Sequence, residues 1–213
     1  MAPVNSFIDF IRRGLRAMVR FIAPILNTIT GGKLTPNMIT ITGLLAHIPI
    51  AWLIATHHNI WAAGLLFVFG LFDALDGELA RLQKSANNSG MLLDATTDRM
   101  KEVLIYTGAA YAMVASGYQY WAIWAVIACG GSLSVSYVKA KGETTVAGKI
   151  PATEANRLFQ DGLMRFEVRM TLIFLGLLTN HLILAVVIIA ITSWFTAFDR
   201  LIKISRSLNR AER

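Results

Sequence analysis

The sequence predicts an all-α integral membrane protein, with six transmembrane helices preceded by an N-terminal amphipathic interfacial helix. Three observations carry that prediction. The 213 residues are 55% hydrophobic and only 15% charged, with a mean hydropathy of +0.54, which is too apolar for an ordinary soluble domain. From Thr35 onward six stretches approach the ~20 residues that a bilayer demands of a helix. The charges also respect one side. The loops His57-His58-Asn59, Ser116–Tyr120 and Thr179–His181 carry no Lys, Arg, Asp or Glu, and every such residue falls on the opposite face. That bias puts both termini and the charged face on the cytoplasmic side of a multi-pass cell-membrane protein.

The chain divides into residues 1–34, an interfacial helix and turn, and residues 35–213, the six-helix domain. Over residues 4–23, Phe7, Ile8, Ile11, Leu15, Met18, Val19 and Ile22 share one side, and Arg12, Arg13, Arg16 and Arg20 hold the other. Such a helix lies on a membrane rather than across it. It has no plain apolar core followed by a small-residue cleavage site, so no cleavable signal peptide is expected. Gly31-Gly32-Lys33 resembles a fragment of a phosphate loop, but the rest of that pattern is missing and the segment reads as a turn.

The spans are expected near 36–56, 60–83, 91–116, 119–140, 157–179 and 181–204. Thr35-Pro36-Asn37 is a helix-start signal for the first. Gly130, Gly131, Ser132 and Ser134 offer the fourth a close helix contact, within the subunit or between subunits. The fifth is unusual, because Asp161, Arg165, Glu167 and Arg169 precede an apolar run of only about ten residues. Asp161, Arg165 and Arg169 step by four, which on a continuous helix turns them toward one cavity. The net charge of +7 fits anchoring to anionic lipid and not nucleic acid. The single cysteine, Cys129, excludes an internal disulfide and is expected to be a packing residue.

Chemistry concentrates between Asp73 and Asp98. The stretch reads D-A-L-D-G-E-L-A-R, then eight residues, then G-M-L-L-D-A-T-T-D. On a helix Asp73, Asp76, Gly77, Ala80 and Arg81 share a face, and Gly90, Asp94 and Asp98 step by four along the next. Four carboxylates crowded into a low dielectric cannot all stay ionised without a cation. Oxygen-only ligands point to Mg²⁺, Mn²⁺ or Ca²⁺ rather than zinc.

The pattern D-x2-D-G-x2-A-R-x8-G-x3-D-x3-D resembles the signature of the CDP-alcohol phosphotransferase (phosphatidyltransferase) family. It is complete here in Asp73, Asp76, Gly77, Ala80, Arg81, Gly90, Asp94 and Asp98. The resemblance extends over nearly the whole chain, since six spans after an interfacial helix are also similar to that family. It implies a membrane phospholipid-synthesising transferase, usually a homodimer, that displaces CMP from a CDP-lipid such as CDP-diacylglycerol with an alcohol. It further implies two divalent cations, Mg²⁺ first and Mn²⁺ second, held by Asp73, Asp76 and Asp94, with Asp98 as the base that also touches the second ion. Gly77 and Arg81 would contact the CDP-lipid. Asn37 and Thr40, in a P-N-x-x-T segment, would hold the cytidine end. Asn87 lies where the family often has Ser or Thr near the CDP moiety. Two clamped metals suit such a displacement because they stabilise both the attacking and the leaving oxygen.

For the acceptor, cations gather on three helices: Lys139 and Lys141 on the fourth span, Arg165 and Arg169 on the fifth, and Arg200 on the sixth. Positive-inside anchoring accounts for Lys203, Arg206, Arg210 and Arg213, but less well for Arg200 after a long apolar run. A cationic pocket calls for a phosphorylated alcohol. The segments S-Y-V-K-A-K and T-A-F-D-R are similar to those of bacterial phosphatidylinositol phosphate synthases and their archaeal ether-lipid relatives. That similarity implies inositol phosphate held by Ser136, Lys139 and Arg200. The related enzymes typically carry R-x-E-R on the fifth span, whereas this chain has Arg165-Phe166-Glu167-Val168-Arg169. Arg165, Arg169 or both remain candidates. The runner-up acceptor is glycerol 3-phosphate, which would make a phosphatidylglycerol phosphate synthase. A divalent-cation transporter is the alternative of another class. It would need acids along a path across the bilayer, and the far-side loops carry no charge.

Overall fold

The computed structural model describes residues 2–146 and 163–211, and side chains for residues 17–146 and 163–210. The apolar face expected from Phe7 to Leu15, the arginines 12, 13 and 16, and Asp161 lie outside the described side chains. Every described element is helical: α1 (Ala2–Ile29), α2 (Pro36–Ala55), α3 (Asn59–Gly70), α4 (Phe72–Leu82), α5 (Asn88–Ala115), a 3₁₀ turn (Gln119–Trp121), α6 (Ala122–Val146), α7 (Phe166–Leu178) and α8 (Leu182–Ala211).

Local chemistry sets the boundaries that matter for the site. Helix α1 ends where Gly31 and Gly32 take φ of +58° and +74°, and the Gly32 amide closes on the Asn27 carbonyl at 2.9 Å. This left-handed stop is the turn expected of Gly-Gly. At the start of α2 the Thr35 hydroxyl accepts from the Met38 amide at 3.3 Å, an N-cap placed just before Pro36. Asn87 caps α5 in the same way, its Oδ1 accepting from the Gly90 amide at 2.8 Å.

The second expected span stands as Asn59–Leu82, interrupted at one residue: α3 stops at Gly70 and α4 restarts at Phe72, with Leu71 still in right-handed helical backbone. The break puts Asp73 in the first turn of α4, where the positive end of the helix dipole favours a carboxylate. In the fifth span, Arg165 has extended backbone with ψ of 161° and caps a helix of 13 residues starting at Phe166. Arg165 therefore lies outside the helix that carries Arg169, so the two do not share a helical face; Asp161, expected on the same face, lies outside the described residues.

Four stretches are long and apolar enough to cross a bilayer: Pro36–Ala55, Asn59–Leu82, Gln119–Val146 and Leu182–Arg210. Helix α5 is long enough but carries Asp94, Asp98, Arg99, Lys101 and Glu102. Helix α7, at 13 residues, spans only about 20 Å at 1.5 Å per residue, short of the ~30 Å hydrocarbon core. Large apolar side chains such as Trp61, Phe195 and Trp52 are exposed on these helices, as expected of a multi-pass membrane protein whose solvent is lipid.

The chain forms two compact units, Met1–Ile50 with Gly64–Lys101, and Ala51–Ala63 with Glu102–Arg213. In the first, α1 packs on α4, burying Val19, Ala23 and Leu79. The Gln83 amide ties the end of α4 to Asn27 Oδ1 and to the Leu34 carbonyl, both at 2.8 Å. In the second, α8 packs on α6 and α7, burying Ala128, Val135, Ile173, Leu177, Val186 and Ile189. Gly131 of α6 meets α8 closely within the subunit: a Cβ there would lie 3.0 Å from the Trp194 ring. Within this unit the uncharged loops are joined, His57 Nε2 to Ser116 Oγ at 3.0 Å and Asn59 to Asn180 at 3.0 Å.

Candidate active site

Helices α4 and α5 build the acidic site in the first unit. Asp73 and Asp76 sit three residues apart on α4, and Asp94 lies on α5, seven residues after Asn87 caps it. One ligand atom from each of Asp73, Asp76 and Asp94 falls within 4.8 Å of the other two. That spacing lets three carboxylates share one ion. Asp94 Oδ1 is buried and has no hydrogen-bond partner among the described residues, an acceptor whose desolvation is uncompensated unless a cation meets it. The donor set is all oxygen and anionic, so the residues fit a hard divalent metal ion.

The ligands are individually oriented. Thr40, 4% exposed, donates from Oγ1 to Asp76 Oδ2 at 2.6 Å, and this charge-assisted bond leaves the other carboxylate oxygen of Asp76 for a ligand. Asp98 stands apart from the triad. Its Oδ1 is 3.2 Å from Lys101 Nζ, and its Oδ2 is 3.6 Å from the Arg99 guanidinium. Lys101 also reaches Asp73 Oδ1, at 2.5 Å.

The residues expected to meet the CDP-lipid lie in the same unit as this cluster. A Cβ on Gly90 would lie 3.5 Å from Asn87 Oδ1 and 3.6 Å from Asn37 Oδ1, so Asn37, Asn87 and Gly90 come together, with both asparagines exposed. Arg81 folds back over Gly77, its Nη2 standing 3.6 Å from the place a Gly77 Cβ would take. Its side chain is 65% exposed and pairs with Glu78 at 2.5 Å. A pair so exposed holds little free energy, so a phosphate can take Arg81 at small cost.

The expected acceptor residues lie in the second unit and fall into separate environments. Arg200, 4% exposed, donates to the Val135 carbonyl of α6 at 3.1 Å, which brings it beside Ser136. The Ser136 hydroxyl donates to the Ser132 carbonyl at 3.1 Å. Lys139 is half-exposed and 3.8 Å from Glu143. Arg165 is partly exposed at the start of α7. Arg169 is different: it is buried, donates to Glu102 Oε1 at 2.7 Å and to the Met164 carbonyl at 2.6 Å, and is thus held by the protein itself.

Sequence reasoning passed over Lys101 and Glu102. Lys101 lies three residues after Asp98 on one helix, so the i, i+3 spacing was a readable signal for a cation on the acidic face. No such local signal marks Glu102, whose partner is 67 residues away.

Comparison with known proteins bears on this geometry. The sequence profile of the CDP-alcohol phosphatidyltransferase family matches residues 33–198. The chain is 35% identical over 130 residues to a phosphatidylinositol phosphate synthase of Corynebacterium glutamicum, a match covering 58% of this chain and 58% of that protein. The matched region is thus less than two thirds of that relative's length. It is 30% identical over 211 residues to an archaetidylinositol phosphate synthase of Methanothermobacter thermautotrophicus, covering 96% and 95% of the two chains. Its fold matches the crystal structure of Mycobacterium tuberculosis phosphatidylinositol phosphate synthase with CDP-DAG bound. The TM-score is 0.73 at 25% identity, over 85% of this chain and 92% of that one.

Proposed function

This chain belongs to the CDP-alcohol phosphatidyltransferase family, and from that premise we propose that it transfers the phosphatidyl group, or its ether-lipid counterpart, from a CDP-lipid to inositol phosphate with release of CMP. The carrying observation is the Asp73–Asp76–Asp94 triad with a buried, unpartnered Asp94 oxygen. The acceptor assignment is supported by the buried Arg200 beside Ser136 and by the names of the relatives.

Asp73, Asp76 and Asp94 would hold the metal, Mg²⁺ with Mn²⁺ as its substitute. When bound, the metal supplies charge neutralisation to the diphosphate of the CDP-lipid. The chain's own residues do the rest. Asn37 and Asn87, exposed around Gly90, take the cytidine end. Gly77 leaves its backbone open to a phosphate, and Arg81 gives up Glu78 to grip it in a fork. Thr40 is committed to Asp76, so we read it as a positioning residue for the metal ligand. Asp98 accepts the proton of the inositol hydroxyl as that oxygen bonds to the lipid-attached phosphorus and the bond to CMP breaks. Ser136, Lys139 and Arg200 bind the phosphate of the acceptor, with Arg165 as the fifth-span contributor. Arg169 supports them through its pair with Glu102.

We place this enzyme in the cell membrane as a homodimer with six spans, α5 and α7 being the charged and the short one. Residues 1–34 lie on the surface, and the termini and active site face the cytoplasm. The experiment is substitution of the base. Asp98→Asn in the full chain is expected to abolish CMP release, measured with CDP-diacylglycerol and inositol phosphate, and to leave CDP-lipid binding intact. CMP release near the unaltered rate would remove Asp98 from that role.

A further inference from the structure

The acidic site contains a cation of its own. Lys101 is 1% exposed, and its Nζ lies 2.5 Å from Asp73 Oδ1 and 3.2 Å from Asp98 Oδ1. It reaches that place from the same helix as Asp98, three residues on, with a glycine opposite. A Cβ on Gly43 would stand 3.8 Å from both Cε and Nζ of Lys101. The ammonium is therefore seated in a formed niche and is not a surface side chain passing by.

We propose that Lys101 takes the place of a second divalent ion, so that this chain works with one metal at Asp73, Asp76 and Asp94 and a built-in ammonium between Asp73 and Asp98. This rests on the metal-dependent reading above. Two features separate the positions. Asp94 keeps a buried oxygen that no described group satisfies, as a ligand awaiting an ion should. Asp98 Oδ1 and Asp73 Oδ1 are instead both met by the Lys101 ammonium. A dication at those same oxygens would meet the ammonium at contact distance, where like charges repel steeply at low dielectric. A lysine also suits the role chemically: it is a compact point charge with three donors, and two of them are accounted for here. The fixed ammonium would offset charge on Asp98 throughout the reaction without needing to be bound from solution.

The test counts ions. The full-length protein in lipid nanodiscs is equilibrated with saturating Mn²⁺, bound manganese is measured by mass spectrometry, and the Mn²⁺ paramagnetic resonance spectrum is recorded. The unaltered protein is expected to hold one Mn²⁺ per chain, with the spectrum of an isolated ion. Lys101→Met and Lys101→Gln are expected to hold two, with a spectrum broadened by a neighbouring ion, and Lys101→Arg to hold one. Adding Asp98→Asn to Lys101→Met should return the count to one. Two ions in the unaltered protein, a count decided without any variant, would overturn the role of Lys101 while leaving the metal centre standing. A count of one in both neutral variants would also overturn it. No bound Mn²⁺ at all would overturn the metal centre itself and this inference with it.

Discussion

Glu102 and Arg169 form an ion pair of 2.7 Å in which the two side chains are 0% and 1% exposed. Arg169, with Arg165, was a candidate to meet a phosphorylated acceptor; its guanidinium donates to Glu102 and to the Met164 carbonyl, while its Nε has no hydrogen-bond partner among the described residues. Removing one partner of a buried pair leaves the other charge uncompensated, at a cost of about 3 kcal/mol. Glu102→Gln should therefore lower stability by that order, read as a fall in the thermal unfolding midpoint in detergent. Glu102→Gln with Arg169→Gln together should recover part of the loss. An unchanged midpoint in the single variant would show the pair to be dispensable.

Thr40 has one strong polar task, its 2.6 Å bond to Asp76. Thr40→Val preserves shape and removes that bond. Loss of a group that orients a metal ligand typically weakens metal binding by roughly 10- to 100-fold. The expected result is a rise of about tenfold or more in the Mn²⁺ dissociation constant, measured by calorimetry, with the helical content unchanged. Equal affinity in the variant would return Thr40 to the nucleotide-contact role read from the P-N-x-x-T segment.

Arg200 is buried but turned to α6, where it donates to the Val135 carbonyl. A charge-assisted contact to phosphate is worth about 2 kcal/mol. Arg200→Ala should accordingly raise the inositol phosphate concentration for half-maximal rate by about 30-fold and leave the CDP-lipid dependence alone. Arg200→Lys should restore part of the affinity. An acceptor dependence equal to that of the unaltered protein would mean that Arg200 only ties α8 to α6.

The features that could be read from the sequence are those set by local chemistry. Helix α2 starts at Pro36 as expected, because Thr35 and Pro36 form a complete N-terminal signal within a few residues. The aspartates were legible because their spacing of three and four is helical, and three of them do converge. The break at Leu71 was not legible: Phe-Gly-Leu-Phe is as apolar as its surroundings and carries no proline. The late start of α7 was hidden for a different reason. Charges at spacing four suit a helix, but the extended backbone of Arg165 removes it from that helix. Glu102 could not be paired from sequence at all, since its partner comes 67 residues later and only the tertiary fold joins them. Lys101 was legible, since it stands three residues after Asp98 on one helix.

The central claim is the identity of the acceptor, and a paired rate measurement with each acceptor alone tests it most directly. Purified protein with CDP-diacylglycerol and Mg²⁺ is supplied with inositol phosphate or with glycerol 3-phosphate at equal concentration, and CMP release is measured. Release that is at least about tenfold faster with inositol phosphate, a difference of about 1.4 kcal/mol in transition-state binding, is the predicted result. Release with glycerol 3-phosphate and none with inositol phosphate would contradict it.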